Sequence, residues 1–176
     1  MNIIITGGLG FVGSHLVENL STKNNQITIL SKTKTKISNI KSLNNNLKIN
    51  FLDITKKKLL EKNIETINPD LIIHLAGQTS HFKSFENPLY DIDINSKSTL
   101  RILETVRKMN KNCKFILGST FVVIGKPNKL PVNENSSANP STIYGANRLL
   151  SEHYCKIYHD LYGIDTKIFR ITNSYG

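Results

Sequence analysis

No run of apolar residues in this chain approaches the roughly 20 needed to cross a bilayer, and the first residues are strand-like where a secretory leader would be basic and then apolar. A soluble, cytoplasmic protein with no membrane segment is expected. Cysteine is scarce, with Cys113 and Cys155 the only two in 176 residues. They are too few for a disulfide scaffold and lack metal-ligand spacing, so they read as small half-buried thiols, and no metal is expected. Acidic residues are outnumbered, 13 Asp and Glu against 23 Lys and Arg, for a net charge of +10. Yet the densest basic groups, Lys32, Lys34 and Lys36 and then Lys56 to Lys58, have no aromatic residues between them to form a stacking platform. A solvated surface suited to small anionic ligands is expected, and no nucleic-acid partner. The sequence has no internal repeat, and its one low-complexity stretch, residues 31–46, reads as a flexible connection.

What is present is an alternation. An apolar content of 39% with 20% charged residues fits one globular domain spanning residues 1–176. Short β-branched runs predict strands over 2–6, 26–31, 47–52, 71–75, 114–118 and 166–171, and the longer segments between them predict helices over 11–21, 57–67, 88–109 and 143–161. Strands that are apolar throughout are strands covered on both faces. The fold class is therefore α/β, a Rossmann-type doubly wound parallel sheet with helices on both faces. A loop over 126–140, which holds three of the five prolines, is expected to lie over the open end of that sheet.

The sharpest motif is the first turn, where Ile3-Ile4-Ile5 runs through Thr6-Gly7-Gly8-Leu9-Gly10-Phe11-Val12-Gly13 into an amphipathic helix. Glycines at a strand-to-helix bend let the backbone approach a pyrophosphate, and the unpaired N–H groups of the helix start hold it. The sequence thus predicts a dinucleotide against Gly7, Gly10, Phe11, Val12 and Gly13. An acidic residue about 20 positions on would bond the adenosine ribose of NAD, but none is there. Ser31 and Lys32 close the second strand, and their hydroxyl and charge suit a 2′-phosphate, so the reading leans to NADP over NAD. Asp53 has two open readings, an adenine contact and a helix N-cap. Farther along, Tyr144 stands four residues before Arg148 on one helical face, and Thr120 comes at the end of the fifth strand. A cation beside a phenol favours the phenolate, so the three could form a proton-transfer site, although such a pair is also common on plain surfaces. His74 reads equally as a site residue and as a packed strand-end imidazole; His15, His81, His153 and His159 read as surface residues.

Together with His74-Leu75-Ala76-Gly77-Gln78, Asn87-Pro88, Asp93-Ile94-Asn95, Gly118-Ser119-Thr120, Tyr144-Gly145-Ala146-Asn147-Arg148 and Arg170-Ile171-Thr172-Asn173-Ser174-Tyr175-Gly176, these motifs make the whole chain resemble the extended short-chain dehydrogenase/reductases, in particular the NAD-dependent epimerase/dehydratase group acting on nucleotide sugars. The resemblance implies oxidation of a sugar hydroxyl to a ketone by NAD or NADP, then epimerisation, dehydration or reduction. It implies coenzyme contacts at Gly7, Gly10 and Gly13, at Asp53 and Ile54, and along Leu75, Ala76 and Gly77. Tyr144 is implied as the acid/base, Thr120 as a hydroxyl on the reacting oxygen, Asn95 as a support, and Gln78 and Asn173 as substrate contacts. A homodimer through helices 88–109 and 143–161 is implied as well. Two departures matter. The family has Lys where this chain has Arg148, which keeps the charge but changes a point cation into a planar fork. The family's chain also continues past residue 176 into a substrate-binding region, so these residues would supply the coenzyme half of the site. Without turnover, the same motifs describe a non-catalytic dinucleotide-binding module.

Overall fold

The protein is described here by a computed structural model covering residues 1–40, 46–109 and 112–175. Six parallel strands, β1 (Asn2–Thr6), β2 (Gln26–Ser31), β3 (Leu47–Phe51), β4 (Leu71–His74), β5 (Lys114–Thr120) and β6 (Thr166–Ile171), form one sheet in the order β3-β2-β1-β4-β5-β6. Two-sided burial drives it. Along β1, Ile3 and Ile5 join one core cluster with Val17, Ile27 and Ile29, while Ile4 joins the other with Leu30, Ile72, Leu103 and Phe115. All of these are 0–1% exposed, and the period of two fixes the register, since a slip of one residue would exchange the two cores.

Helix α1 (Phe11–Ser21) covers one face and α2 (Lys57–Ile67), α5 (Ser98–Met109) and α6 (Ile143–Tyr162) the other, with two short helices, α3 (His81–Glu86) and α4 (Pro88–Ile92), packed near the start of α6. The strand order reverses direction at β1, which has β2 on one side and β4 on the other. In open α/β sheets a crevice forms at the carboxyl ends beside such a switch point. Among the described residues, no helix is long and apolar enough to cross a membrane.

Several elements differ from the sequence expectation. The helix expected over 88–109 is one rod interrupted by a π turn at Asp93–Lys97, where the Ser98 N–H reaches back five residues to the Asp93 carbonyl. Helix α3 has only six residues, too few for periodicity to reveal. Strand β5 runs on through Thr120, because its last residues pair with β6 as far as Ile171. The supposed connection over 31–46 is tied down in its described part: Ile37–Asn39 forms a 3₁₀ turn, Ile40 is 6% exposed, and the Asn39 amide donates to the Leu9 carbonyl at 2.9 Å. Residues 41–45 lie outside the described ones. Loop 126–140 folds back on the turn that follows β5, its Asn139 N–H returning to the Ile124 carbonyl at 3.3 Å.

Candidate functional site

The glycine turn is shaped by close approaches. Gly7 has φ +71°, and a Cβ on it would stand 2.7 Å from the Ala76 nitrogen, so an L side chain is excluded both by conformation and by the neighbouring strand end. A Cβ on Gly13 would lie 2.3 Å from the Gly7 carbonyl oxygen, which is how α1 comes to sit tight against the turn. The first intrahelical bond of α1 runs from Ser14 N–H to the Gly10 carbonyl at 2.8 Å. The N–H groups of Phe11, Val12 and Gly13 therefore precede the ladder and are free for a ligand, at the positive end of a helix with no acidic residue in its first turn.

These residues form one wall of a cleft of about 830 Å³ at the carboxyl ends of the strands. The cleft is also lined by Ser31, Lys32, Asp53, Ile54, Leu75, Ala76, Gly77, Thr120, Tyr144, Arg148 and Asn173, so candidates chosen from seven separate stretches of sequence meet around one space. Its volume is in the range that holds a small organic ligand. Asn95 and Gln78 stand behind this wall: the Asn95 amide bonds the Gln78 backbone, and the Gln78 amide donates to Ser80 O at 2.7 Å and Asp91 Oδ2 at 2.9 Å. Gln78 is thus built into the framework, since its N–H donors are spent on protein partners. None of residues 126–140 lines the cleft, although Asn139 and Pro140 return beside Gly125 and Gly145, past the carboxyl end of β5. Gly176, the last residue of the terminal motif, lies outside the described residues.

At the end of the cleft beside β2 and β3, Asp53 does not cap α2, whose N-cap residue is Lys56. Its Oδ1 accepts from the Thr55 N–H and hydroxyl at 2.9 and 2.8 Å, and Oδ2 pairs with Lys32 Nζ at 2.9 Å. Partial burial works to raise the carboxyl, but the bonds from Lys32 and Thr55 outweigh it and hold it below the usual range. The Asp53 bond, helped by the Tyr90 hydroxyl at 3.3 Å, raises the Lys32 ammonium in turn.

The opposite end is assembled by α6. Thr142 caps the helix, its hydroxyl accepting from Gly145 N–H at 3.0 Å, which sets Tyr144 in the first turn and Arg148 in the second. Both are buried, at 6% and 2% exposure, with the guanidinium carbon 6.0 Å from the phenol ring centre. Arg148 Nε and Nη1 have no hydrogen-bond partner, and Nη2 is packed so closely on Gly77 that a Cβ there would come within 2.3 Å of it. Two orphaned donors on a buried cation at a cleft wall are costly unless a ligand supplies acceptors. Thr120 Oγ1 accepts from Val122 N–H at 3.3 Å, which leaves its own hydrogen to donate. His81, expected only at the surface, is exposed but lines the cleft, with its ring 5.7 Å from that of Tyr144. Nothing in its sequence spacing signals this.

Beneath the cleft, His74 is fully buried and its tautomer follows from counting hydrogens. Ser98 gives its hydroxyl hydrogen to the Ile94 carbonyl at 2.6 Å, so it can only accept from His74 Nε2 at 3.3 Å. The Nδ1 atom must then accept from the Thr6 hydroxyl at 2.7 Å, and Thr6 Oγ1 accepts from Ala76 N–H at 3.1 Å. The packed-imidazole reading holds, within a chain that links β1, β4 and α5. Burial, and then the Arg148 charge, push the imidazole down to about 3. A folded-state value below the unfolded one means that the unfolded chain takes up the proton first. Stability is therefore complete above pH ~6.5 and is lost as pH falls toward ~3, at about 1.4 kcal/mol per unit. Denaturant titrations at pH ~7.5 and ~5.5, both above the carboxylate range, should show a loss of about 1.4 kcal/mol. His74→Gln should be less stable at neutral pH but flatter across that interval; an equal slope would remove His74 as the cause.

Comparison with known proteins places residues 4–176 in a match to the family model described as GDP-mannose 4,6 dehydratase. A Methanocaldococcus jannaschii protein provisionally named a UDP-glucose 4-epimerase is 42% identical over 176 residues, covering 99% of this chain and 56% of its own length. Among solved structures, the Thermotoga maritima UDP-glucose 4-epimerase with UDP-glucose superposes with TM-score 0.91 at 30% identity, over 100% of this chain and 57% of that one. The Bacillus cereus UDP-glucuronic acid 4-epimerase in complex with UDP-glucuronic acid and NAD gives TM-score 0.86 at 28% identity, over 97% and 56%. The chain thus spans a little over half the length of each of these proteins.

Proposed function

Because the chain belongs to the GDP-mannose 4,6 dehydratase family, the extended short-chain dehydrogenase/reductases of nucleotide-sugar metabolism, we propose that it forms the coenzyme-holding portion of a nucleotide-sugar epimerase or dehydratase. The observation that carries this reading is Arg148, a buried cation with two unpartnered N–H donor atoms on the wall of a cleft that a glycine-rich helix start also lines. A dinucleotide fits both features. The free N–H groups of Phe11, Val12 and Gly13 would hold the diphosphate, Asp53 and Ile54 would flank the adenine, and Arg148 would bond the hydroxyls of the nicotinamide ribose. When bound, the nicotinamide supplies a hydride acceptor that can later return the hydride.

The chain's own residues would do the rest. The Tyr144 phenol oxygen takes the proton from the sugar hydroxyl being oxidised and can give it back. Thr120 donates its hydroxyl hydrogen to the same sugar oxygen, fixing which hydroxyl meets the phenol. Asn173, beyond β6, reaches toward the substrate. A homodimer through the helices over 88–109 and 143–161 belongs to the same reading, and Leu150, Ile157 and Leu161 are 40%, 46% and 68% exposed at helical spacing on α6.

Coenzyme selection is read at the end of β2, where Ser31, Lys32, Thr33 and Lys36 line the cleft and no carboxylate from that strand end repels a 2′-phosphate. The Asp53 pairing occupies Lys32 in part, which leaves the larger share of phosphate recognition to Lys36. Calorimetry should find that NADP⁺ binds at least as tightly as NAD⁺, and that Lys36→Glu weakens NADP⁺ alone by about five- to tenfold, the worth of one exposed charge-assisted bond. Tighter binding of NAD⁺ would reverse the coenzyme assignment. Failure to bind either form would end the catalytic proposal.

A further inference from the structure

Asn147 and Ser151 stand one turn apart on α6, 7% and 0% exposed, with Arg148 between them in sequence. From Asn147, Nδ2 donates to Asp91 Oδ1 at 2.8 Å, and Asp91 Oδ2 accepts from Gln78 Nε2 at 2.9 Å. From Ser151, the hydroxyl donates to the Asn95 carbonyl at 2.6 Å. The Asn95 amide then grips both sides of the Gln78 backbone, with Nδ2 donating to its carbonyl at 2.9 Å and Oδ1 accepting from its N–H at 3.2 Å. The two arms meet at Gln78, and Ser151 Oγ also lies 3.1 Å from the Asn147 carbonyl, so five side chains close a ring.

Apolar packing would hold α6 in place, but its contacts are tolerant of sliding. Directional bonds between buried partners are far less so, and each group must be matched or its burial is costly. The ring spans the gap between α6, which carries Tyr144 and Arg148, and the chain at Ala76–Gly77 on the facing wall. Gly77 is the contact point: a Cβ on it would stand 2.3 Å from Arg148 Nη2 and 2.6 Å from Asn95 Oδ1. The π turn at Asp93–Lys97 brings Asn95 to that point, which is a common use of such turns near functional sites. None of the ring's bonds touches residues 7–13.

We propose that Asn147 and Ser151 are positioning residues whose polar ring sets the separation of Tyr144 and Arg148 from Ala76–Gly77, and so the width of the cleft at its nicotinamide end. This rests on the coenzyme reading above, and the consequence is selective. Loss of either arm should disturb the grip on the nicotinamide half and spare the adenosine diphosphate half held by the glycine turn.

The test titrates wild type, Asn147→Ala and Ser151→Ala with NADH, followed by nicotinamide fluorescence, and with ADP by calorimetry, after thermal melts establish that each variant is folded. Each variant should weaken NADH by about five- to tenfold, from one missing buried hydrogen bond, and ADP by less than about twofold. The emission of bound NADH should also shift toward that of the free form. Equal losses for both ligands, or no loss for either, would overturn the proposal while leaving the coenzyme reading intact. Wild type that binds neither ADP nor either reduced coenzyme, NADH or NADPH, removes both together. If Asn147→Ala melts below the assay temperature, Asn147→Ser, which shortens the arm without emptying the site, carries the same comparison.

Discussion

Phenylalanine in place of Tyr144 is expected to lower kcat for nucleotide-sugar turnover by about 10²- to 10⁴-fold, the usual worth of a positioned proton donor or acceptor, in a chain carrying its full substrate region. The substitution is a clean one. Tyr144 is 6% exposed, and its ring is held between His81 at 5.7 Å and the Arg148 guanidinium at 6.0 Å, contacts that a phenylalanine ring retains. Only the hydroxyl is lost. Coenzyme affinity should change by less than about threefold, because at most one hydrogen bond to the ligand disappears. Nicotinamide absorbance during turnover, with calorimetry for binding, separates the two quantities. A variant that keeps more than about a tenth of wild-type kcat would take Tyr144 out of the proton transfer, and the binding-module reading would gain if wild type bound coenzyme but turned over no nucleotide sugar.

Alanine at Glu152 should have the largest effect on stability, about 3 kcal/mol, because it leaves the buried Ser119 hydroxyl and the half-buried Arg170 guanidinium without their carboxylate. Glu152 is 1% exposed and accepts from the Ser119 hydroxyl at 2.6 Å and from Arg170, whose Nη2 lies at 2.8 Å. That bond raises the Arg170 guanidinium. One carboxylate thereby ties α6 to the ends of β5 and β6, next to Thr120 on one side and to the strand leading into Asn173 on the other. For a chain of this size the loss corresponds to a fall in Tm of roughly 10 °C. Glu152→Gln, which keeps one acceptor oxygen, should lose about half as much. A melting temperature within about 2 °C of wild type in Glu152→Ala would mean that water replaces the carboxylate and the tie contributes little.

Much of this molecule is written in local sequence. Strands β1, β2 and β6 and helices α1 and α2 follow from apolar periodicity to the residue, because each has a face or pair of faces that only one geometry can bury. The glycine turn is legible for a similar reason, since Gly7 and Gly13 answer a backbone approach that no other residue allows. The polar interior is not legible. Asp91, Asn147, Ser151 and Glu152 look like residues of a solvated helix face, yet all are at most 7% exposed, and what makes them internal is the partners they meet from other parts of the chain. Gln78 was expected to face substrate and His81 to face only water. Their places depend on how the chain turns after β4, where a six-residue helix leaves no periodic trace.

The widened turn at Asp93–Lys97 also has a bearing on how this chain can change. An extra residue in one turn advances the helical phase by about 100°, so the segment before it and the segment after it are aimed by separate rules. Asp91 answers to the amide ring, whereas Ile102, Leu103 and Val106 answer to the sheet. Substitution in the first half can therefore retune the cleft without repacking the second. Deleting a single residue between 93 and 97 would force both halves onto one phase, and one of the two tasks would be lost.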